Sequence, residues 1–424
     1  MLRYFFNRCI VVGGCALYCS SVLYADPSAL AWSLWLHNQL EQHPDMIAAQ
    51  QTMNAAFSIA EGRDQPLYNP ALETEYEQQD DVDNYRLGIS QTIDLWDKRG
   101  TRMQQGLFSR TAAKQNFQII KQRKIAQALN AIVVWQATRQ RADLARRQEQ
   151  QLKTLLELVK GRQQAGDLGA VDAELTYLSL SKELYTTAQA MAEFRRAEAN
   201  LREILPGLIV DKAVIPDSLW VTTPTLLGHS IKGKAWVDNH PTVMASRFEW
   251  EVLRQQAELA RRETKADPTF GIHAGKDDDE DYVGLTISIP LNVRNNFNAK
   301  ARAAGQTALS AEANYLAIRR SQQFAIAAAT DTLNEYQQRY EYWQALMEGR
   351  GERSEKLLEK QWRSGDLSTT KYLLTLQQRT AGLLAGIDLQ SQFQLAHIDW
   401  LLQTGLITKA LMQMTQQPIQ DLQR

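Results

Sequence analysis

The sequence of 424 residues is nearly free of cysteine, and Cys9, Cys15 and Cys19 are its three examples. The rest of the chain therefore has no disulfide, no thiolate metal site and no cysteine nucleophile. Stability must come from packing and assembly. The chain also lacks the Gly-rich phosphate loop, the GxSxG elbow and the HExxH motif. These absences argue against an enzyme and against a bound cofactor.

Lysine and arginine number 47 and aspartate and glutamate 48, so the formal net charge is −1. No basic excess marks a nucleic-acid partner. Histidine is scarce at six residues, and His43 and His240 each precede a proline. This pattern is typical of a helix start. Because the other histidines do not cluster with these two at ligand spacing, no metal site is expected.

A long apolar run is missing after residue 25. Before it, Arg3 and Arg8 precede a short uncharged apolar stretch, and Ala25 offers a cleavage position. Residues 1–25 thus read as a secretory signal peptide. A lipoprotein leader ending at Cys15 is the alternative, because VGGC at 12–15 loosely resembles a lipidation box.

Proline is absent from 71–205 and from 291–417. Within these spans, 98–162 and 297–362 are rich in good helix formers. Each predicts a helix of about 100 Å at 1.5 Å per residue. Apolar residues spaced by three, four or seven, such as Leu152, Leu155 and Val159, are typical of coiled-coil packing.

The chain contains an internal duplication. His240 lies 197 residues after His43, and Pro268 lies 198 after Pro70. An offset of 199 relates two further pairs: Gly106 to Gly305, and Gly166-Asp167-Leu168 to Gly365-Asp366-Leu367. Ordered matches at nearly constant offset indicate two structural repeats, at 26–209 and 210–424.

Each Gly-Asp-Leu stands between two helical stretches. Glycine readily adopts the positive φ of a sharp reversal, and the following aspartate can cap the next helix. Gly166 and Gly365 therefore predict the tips of two antiparallel helical hairpins.

Between the helices, the pattern changes to period two at about 70–79 and 85–95, and again at about 268–276 and 282–291. Acidic turns at 80–84 and 276–281 join each strand pair, and we expect them to be solvated extracellular turns, with binding of divalent ions at the surface as the alternative. Such strands have the length that a membrane strand requires. Four strands cannot close a barrel, so copies of the chain must associate. The expected lipid-facing residues are Leu87, Ile89, Ile93, Leu285, Ile287 and Ile289, and the expected lumen-facing residues are Glu73, Glu75 and Glu77.

With these features together, the mature chain resembles the TolC-like outer-membrane efflux proteins. The resemblance rests on the repeat, the segments NPALETEYEQ and YRLGISQTIDLWDKRGTR, the long helices and the paired tips. The chain looks most like the cobalt-zinc-cadmium type. The family fold implies a mainly α homotrimer with a small β part. Its coiled-coil hairpins form a periplasmic α-barrel, and four strands per chain complete a twelve-stranded barrel in the outer membrane of a Gram-negative bacterium.

The resemblance also implies partners and cargo. Such a duct conducts substrate passively from an inner-membrane RND-type pump through a periplasmic adaptor, here with heavy-metal cations expected. A multidrug or type I secretion duct is one alternative, and a soluble periplasmic coiled-coil adaptor is another. The second tip has Thr370-Lys371 where the first has Val171-Asp172, which puts an aperture salt bridge in doubt. By position, the resemblance assigns partner contacts to Gly166, Asp167, Leu168, Val171, Asp172, Gly365, Asp366, Leu367, Thr370 and Leu373.

Overall fold

A computed structural model describes most of the chain: residues 27–79, 82–166, 169–207, 215–220, 234–277, 280–348 and 350–413. The expected leader with its cysteines lies outside these residues, as do Asp167 and Leu168 of the first tip. Parts of both acidic turns also lie outside them.

Helices dominate, and they flank two pairs of strands. In chain order the elements are α1 Pro27–Glu41, α2 Pro44–Asp64, β1 Ala71–Gln79, β2 Val82–Thr92, α3 Lys98–Gln164, α4 Ala170–Ile204, α5 Lys234–Asp238, α6 Pro241–Arg262, β3 Thr269–Asp277, β4 Glu280–Ser288, α7 Asn298–Met347, α8 Arg350–Arg363, α9 Thr369–Gln403 and α10 Ile407–Gln413. Among these helices, none is both long enough and apolar enough to cross a membrane.

The helix predicted at 98–162 is confirmed as α3, which is unbroken over 67 residues. The single helix predicted at 297–362 is wrong. There α7 ends at Met347, Glu348 turns out of helical geometry with ψ 118°, and α8 begins at Arg350. The sequence places two glycines, at 349 and 351, next to this break, and glycine is a poor helix former.

The strands form one antiparallel sheet in the order β1-β2-β3-β4. The hairpins of the two repeats meet where β2 pairs with β3, with Ile89 opposite Ile272. Strand bounds agree with the sequence expectation to within three residues, except that two predicted strand residues fall outside. Ile93 lies just past β2 and Ile289 just past β4. Pro268 sits directly before β3 and Pro290 follows β4, so backbone donors are missing at this end of the sheet.

The helices that lead into and out of the sheet pack side by side in the same order as the strands. Helix α2 packs on α3, α3 on α6, and α6 on α7. The main apolar core lies farther along α3, where α1, α4, α7, α9 and α10 converge. Its fully buried residues include Leu36, Leu129, Ile132, Leu201, Leu333, Trp400 and Ile407. The sheet thus stands at one end of a helical body, and the two helical hairpins extend from that body.

Candidate functional site

One face of the sheet is largely apolar. Cross-strand partners in an antiparallel sheet point to the same side, so the register defines the rows across the strands. One row runs Leu72, Ile89, Ile272, Leu285, and the next runs Thr74, Leu87, Ala274, Val283. These large side chains are exposed, with Leu285 79% and Ile89 53% accessible. Water would not favour such a face.

The residues predicted to face lipid divide into two groups. Leu87, Ile89 and Leu285 belong to the rows just described, and Ile287 pairs with Phe270 on the same face. Ile93 and Ile289, although outside the strands, remain exposed apolar residues next to the sheet. Exposed apolar side chains continue past β4 at Leu291 and Val293.

The opposite face is polar and built on small residues. Glu73 lies in a row with Gly88, His273 and Gly284, and it accepts a hydrogen bond of 2.6 Å from Oγ of Ser90. The three predicted glutamates alternate with Leu72, Thr74 and Tyr76, so the strand places them together on this face.

The three glutamates on β1 have a basic neighbour that the sequence analysis missed. Arg86 lies opposite Glu75, with Nη2 2.5 Å from Oε2. The pairing depends on strand register, so residue types alone could not reveal it. Arg86 offsets part of the negative charge that Glu73, Glu75 and Glu77 bring to the polar face.

Two aromatic side chains on the polar face, those of His273 and Tyr282, each lie over a glycine of the neighbouring strand. A Cβ added to Gly284 would stand 2.5 Å from Nε2 of His273, and one added to Gly275 would stand 3.1 Å from the hydroxyl of Tyr282. The imidazole Nδ1 lies 3.1 Å from Oγ1 of Thr286. These glycines allow two aromatic rings to rest against the sheet instead of projecting from it.

The two hairpin tips turn on glycines with positive φ, as predicted: φ is 81° at Gly166 and 84° at Gly365. The cap predicted at Asp366 is wrong, and the one predicted at Asp167 lies outside the described residues. Gly169 is the N-cap of α4, and Ser368 is the N-cap of α9, where its Oγ accepts from the amide of Lys371. Asp366 instead accepts a 2.7 Å hydrogen bond from Ser364.

The two tips pack against each other around Trp362. Its indole is 3% exposed and donates to Oγ1 of Thr369, and the Arg162 guanidinium stacks over it at 4.9 Å. This cluster also includes Leu373, which is buried. Leu373 was predicted as a partner-facing residue; within this chain, it packs between the hairpins instead.

Unlike Leu373, several other residues that were predicted to contact a partner are exposed at the tips. Val171 is 72% accessible, and Gly166, Gly365, Asp366 and Thr370 are also exposed. Asp172 and Leu367 are half-buried. Thr370 donates to Oδ1 of Asp172 at 3.1 Å, across the two repeats. A hydrogen bond from a neutral hydroxyl to a carboxylate thus joins the two tips. It occupies the position at which the sequence left an aperture salt bridge in doubt.

His43 and His240 are helix N-caps, as predicted. Each Nδ1 accepts the amide hydrogen of the residue two positions on, at 3.1 and 3.2 Å, and proline follows at N1. Burial lowers the pKa of His240. Across the described ranges, no three His, Cys, Asp or Glu residues gather in a group that could hold a metal ion.

No protein-family model matches the sequence, and a comparison with curated proteins finds no match. Solved structures do match. The outer-membrane channel OprN superposes with a TM-score of 0.72 at 16% identity, covering 90% of each chain. The CmeC outer-membrane channel of Campylobacter jejuni gives 0.69 at 13%, covering 92% of this chain and 90% of its own. The open state of the Neisseria gonorrhoeae channel MtrE gives 0.68 at 13%, covering 88% of both. The chain has the fold of these channel structures.

Proposed function

We propose that this protein is an outer-membrane channel, the exit duct of a tripartite efflux system. The observation that carries the proposal is the described sheet, which has one largely apolar face, one polar face and two edge strands with an unpaired side, at one end of a long helical body. The fold shared with outer-membrane channels supports it.

The dimensions of the sheet fit a membrane. Its strands have 9 or 11 residues. Nine residues extend about 30 Å at 3.3 Å each, and a tilt of about 40° reduces the height to about 23 Å. Lipid-facing bands of membrane barrels are about 25 Å tall. The apolar face would meet lipid, and the polar face would line the lumen with Glu73, Glu75 and Glu77.

The edges explain why the chain would act as a homotrimer. Strands β1 and β4 each have one unpaired side within the described sheet. Hydrocarbon does not tolerate unpaired backbone groups, so the edges must pair with other copies. Three chains give a twelve-stranded barrel, and their helical hairpins would form the periplasmic tunnel. The leader at 1–25 would direct export.

The tips would meet the periplasmic adaptor and, through it, an RND-type pump of the inner membrane. The exposed Val171, Gly166, Gly365, Asp366 and Thr370 are the residues for this contact. The buried position of Leu373 gives it a supporting role beneath that surface.

Heavy-metal cations are the proposed cargo, with drug-like compounds or secreted protein as alternatives. Luminal glutamates would favour cations, although Arg86 weakens that preference. Cellular accumulation of zinc, cobalt, cadmium and copper beside a drug-like dye, in cells lacking only this gene, tests the cargo. A selective rise of metal supports metal efflux; retained dye with unchanged metal points to a multidrug duct.

The channel itself is tested with protein purified from the outer-membrane fraction and added to a planar lipid bilayer. Stable conductance from a trimeric species is expected. Leu285→Arg should block insertion, because arginine at the bilayer midplane costs about 2–4 kcal/mol. Thr286→Arg, one residue on and on the polar face, should still insert. Equal insertion of the two variants would refute the membrane face.

A soluble periplasmic species without conductance would favour the adaptor alternative. Such an adaptor also uses long helical hairpins, but it has no need of an exposed apolar sheet face. Cell fractionation distinguishes the outer-membrane channel from the soluble adaptor before any bilayer measurement.

A further inference from the structure

The two strand hairpins follow one pairing scheme. Adding 198 to every residue number in the β1–β2 pairs gives the β3–β4 pairs. Ala71 opposite Ser90 thus corresponds to Thr269 opposite Ser288, and the match holds for all nine pairs of each hairpin. Strand β3 is therefore the structural counterpart of β1, and β4 is the counterpart of β2.

The junction between the repeats shows how one hairpin follows another. There β2 pairs with β3, and Arg86 stands opposite Gly275. Their counterparts, β4 and β1, each have an unpaired side in the described sheet. The same junction can therefore form between β4 of one copy and β1 of the next. The displacement of 198 then sets Gly284 opposite Glu77 of the next copy.

This register keeps both faces of the sheet consistent across two copies. It sets Leu285 opposite Tyr76 of the next copy and Ile287 opposite Thr74, all from the largely apolar face. A shift of one residue would bring these apolar side chains to the face of the glutamates, because successive residues of a strand point to opposite sides. A second copy of this chain is thus a partner that fits the unpaired edges.

His273 reaches across the edge strand of its own copy. Its imidazole lies over Gly284, where a Cβ would stand 2.5 Å from Nε2 and 2.8 Å from Cε1. Nδ1 lies 3.1 Å from the hydroxyl of Thr286. Within the described residues, Nε2 has no hydrogen-bond partner. When the Thr286 hydroxyl donates to Nδ1, the neutral imidazole carries its proton on Nε2, above the edge strand.

Glu77 is the acidic side chain of β1 that lacks a partner. Glu73 accepts a hydrogen bond from Ser90, and Glu75 pairs with Arg86. In the part of the chain that the structure describes, Glu77 makes no hydrogen bond or ion pair. Its carboxylate is therefore available to a donor from another copy.

The distances across the junction suit such a contact. Neighbouring strands lie about 4.8 Å apart. The imidazole of His273 already covers the step from β3 to β4, because it lies over Gly284. Glu77 of the next copy then has only the step from β1 to β4 to cover, which is within the reach of a glutamate side chain.

We propose that Nε2 of His273 donates a hydrogen bond to the carboxylate of Glu77 in the next copy. A hydrogen bond to a charged acceptor is stronger than one between neutral groups. Because each copy supplies one residue, the contact exists only in the assembled oligomer and recurs at every junction. It rests on the proposed function in one respect, which is that copies join edge to edge in a closed barrel.

The register is tested with paired cysteines in the full-length protein, in isolated outer membranes. Beyond the expected leader the chain has no cysteine, so introduced thiols react without background. Two residues on from Gly284, Thr286 should stand opposite Glu75 of the next copy. Thr286→Cys is therefore combined in turn with Glu73→Cys, Glu75→Cys or Glu77→Cys. Each pair is treated with a mild oxidant and with a short bifunctional thiol reagent.

Cross-linked dimers and trimers should be most abundant with Glu75→Cys. A maximum at Glu73→Cys or Glu77→Cys would overturn the register, and no product with any of the three would overturn the junction. Thr286→Cys alone should give no product, because identical residues do not meet in a head-to-tail junction. A product there would overturn the head-to-tail arrangement.

Bilayer conductance is measured separately on the same preparations. Cross-linking without conductance would leave the junction in place and refute the channel. Conductance without cross-linking would do the reverse.

The contact itself is tested by a double-mutant cycle with His273→Ala and Glu77→Ala. Heat dissociation of the oligomer in detergent is followed by native gel electrophoresis. Each single variant should dissociate about three to ten times faster than the wild type. The double variant should dissociate no faster than the faster single variant, because both changes remove the same hydrogen bond.

Glu73→Ala with His273→Ala is the matched control. Glu73 shares the row of His273 and lies two strands away, but it belongs to the same copy and holds Ser90. The two effects on the dissociation rate should therefore multiply. Multiplied effects in the cycle of His273 with Glu77, or single variants that dissociate like the wild type, would overturn the contact.

Discussion

Nζ of Lys98 lies 2.7 Å from Oδ2 of Asp267, and both side chains are more than 90% buried. The pair joins the first turn of α3 in the first repeat to the residue before Pro268 and β3 in the second. Lys98 also donates to the carbonyl of Lys265, and Tyr68 donates its hydroxyl to the same carboxylate oxygen. Burial and then the hydrogen bond to Asp267 raise the pKa of Tyr68 to about 12. This buried ion pair thus ties the two repeats together at the junction between the sheet and the helices.

Lys98→Gln should lower the free energy of unfolding by about 3–5 kcal/mol, because it leaves a buried carboxylate without its cation. Denaturant unfolding of the purified protein measures this change. Lys300→Gln is the control: its ion pair with Glu263 is exposed, so the loss should stay within about 1 kcal/mol. Similar losses in both variants would contradict the special role of the buried pair.

Gly365→Val should destabilise the second tip by about 1–2 kcal/mol, because φ is 84° there and a branched side chain resists that conformation. Nothing crowds this glycine, so backbone strain alone is measured. Gly161→Ala, in open space within α3, should instead gain up to about 1 kcal/mol. Thermal unfolding compares the two variants with the wild type. An unchanged stability in Gly365→Val would refute the prediction.

Thr370→Val should loosen the contact between the tips, because it removes the hydroxyl that donates to Asp172. The expected cost is about 0.5–1.5 kcal/mol. Hydrogen–deuterium exchange should accelerate in both tips, although only one is substituted. Thr375→Val removes a hydroxyl that bonds to Lys371 within the same helix, so any effect should stay in α9. Faster exchange confined to the second tip in Thr370→Val would rule out the cross-repeat contact.

The buried His240 should make the protein less stable in mild acid. Burial lowers its pKa from 6.5, so below about pH 6.5 the unfolded chain binds a proton that the folded chain resists. As the pH is lowered, the contribution of His240 to the free energy of unfolding falls by at most about 1.4 kcal/mol per pH unit until the folded pKa is reached. Well above pH 6.5 this contribution does not change with pH. His240→Asn keeps a cap acceptor without titrating there. Its melting temperature should fall less between pH 8 and pH 5.5; an unchanged fall would exclude His240.

The strands and tip turns were predictable because each rests on local chemistry. Period-two alternation defines the strand faces at Leu87 and Ile89, and only glycine takes a positive φ without strain at 166 and 365. The caps were less predictable. Asp366 and Ser368 are both good caps two residues apart, and the start of α9 decides between them.

Long-range partners were the least predictable. The sequence does not place Arg86 opposite Glu75, since that requires the β1–β2 register. Burial of Leu373 depends on how the two hairpins meet around Trp362.

Each repeat contributes an even number of strands, and this has a topological consequence. The outer strands β1 and β4 run in opposite directions because all three pairings between them are antiparallel. If β4 of one copy met β1 of the next, the alternation would continue without a parallel seam. Every junction in such a ring would be identical and head-to-tail, with cyclic symmetry. Strand direction would then permit any number of copies, and sheet curvature would set where the ring closes.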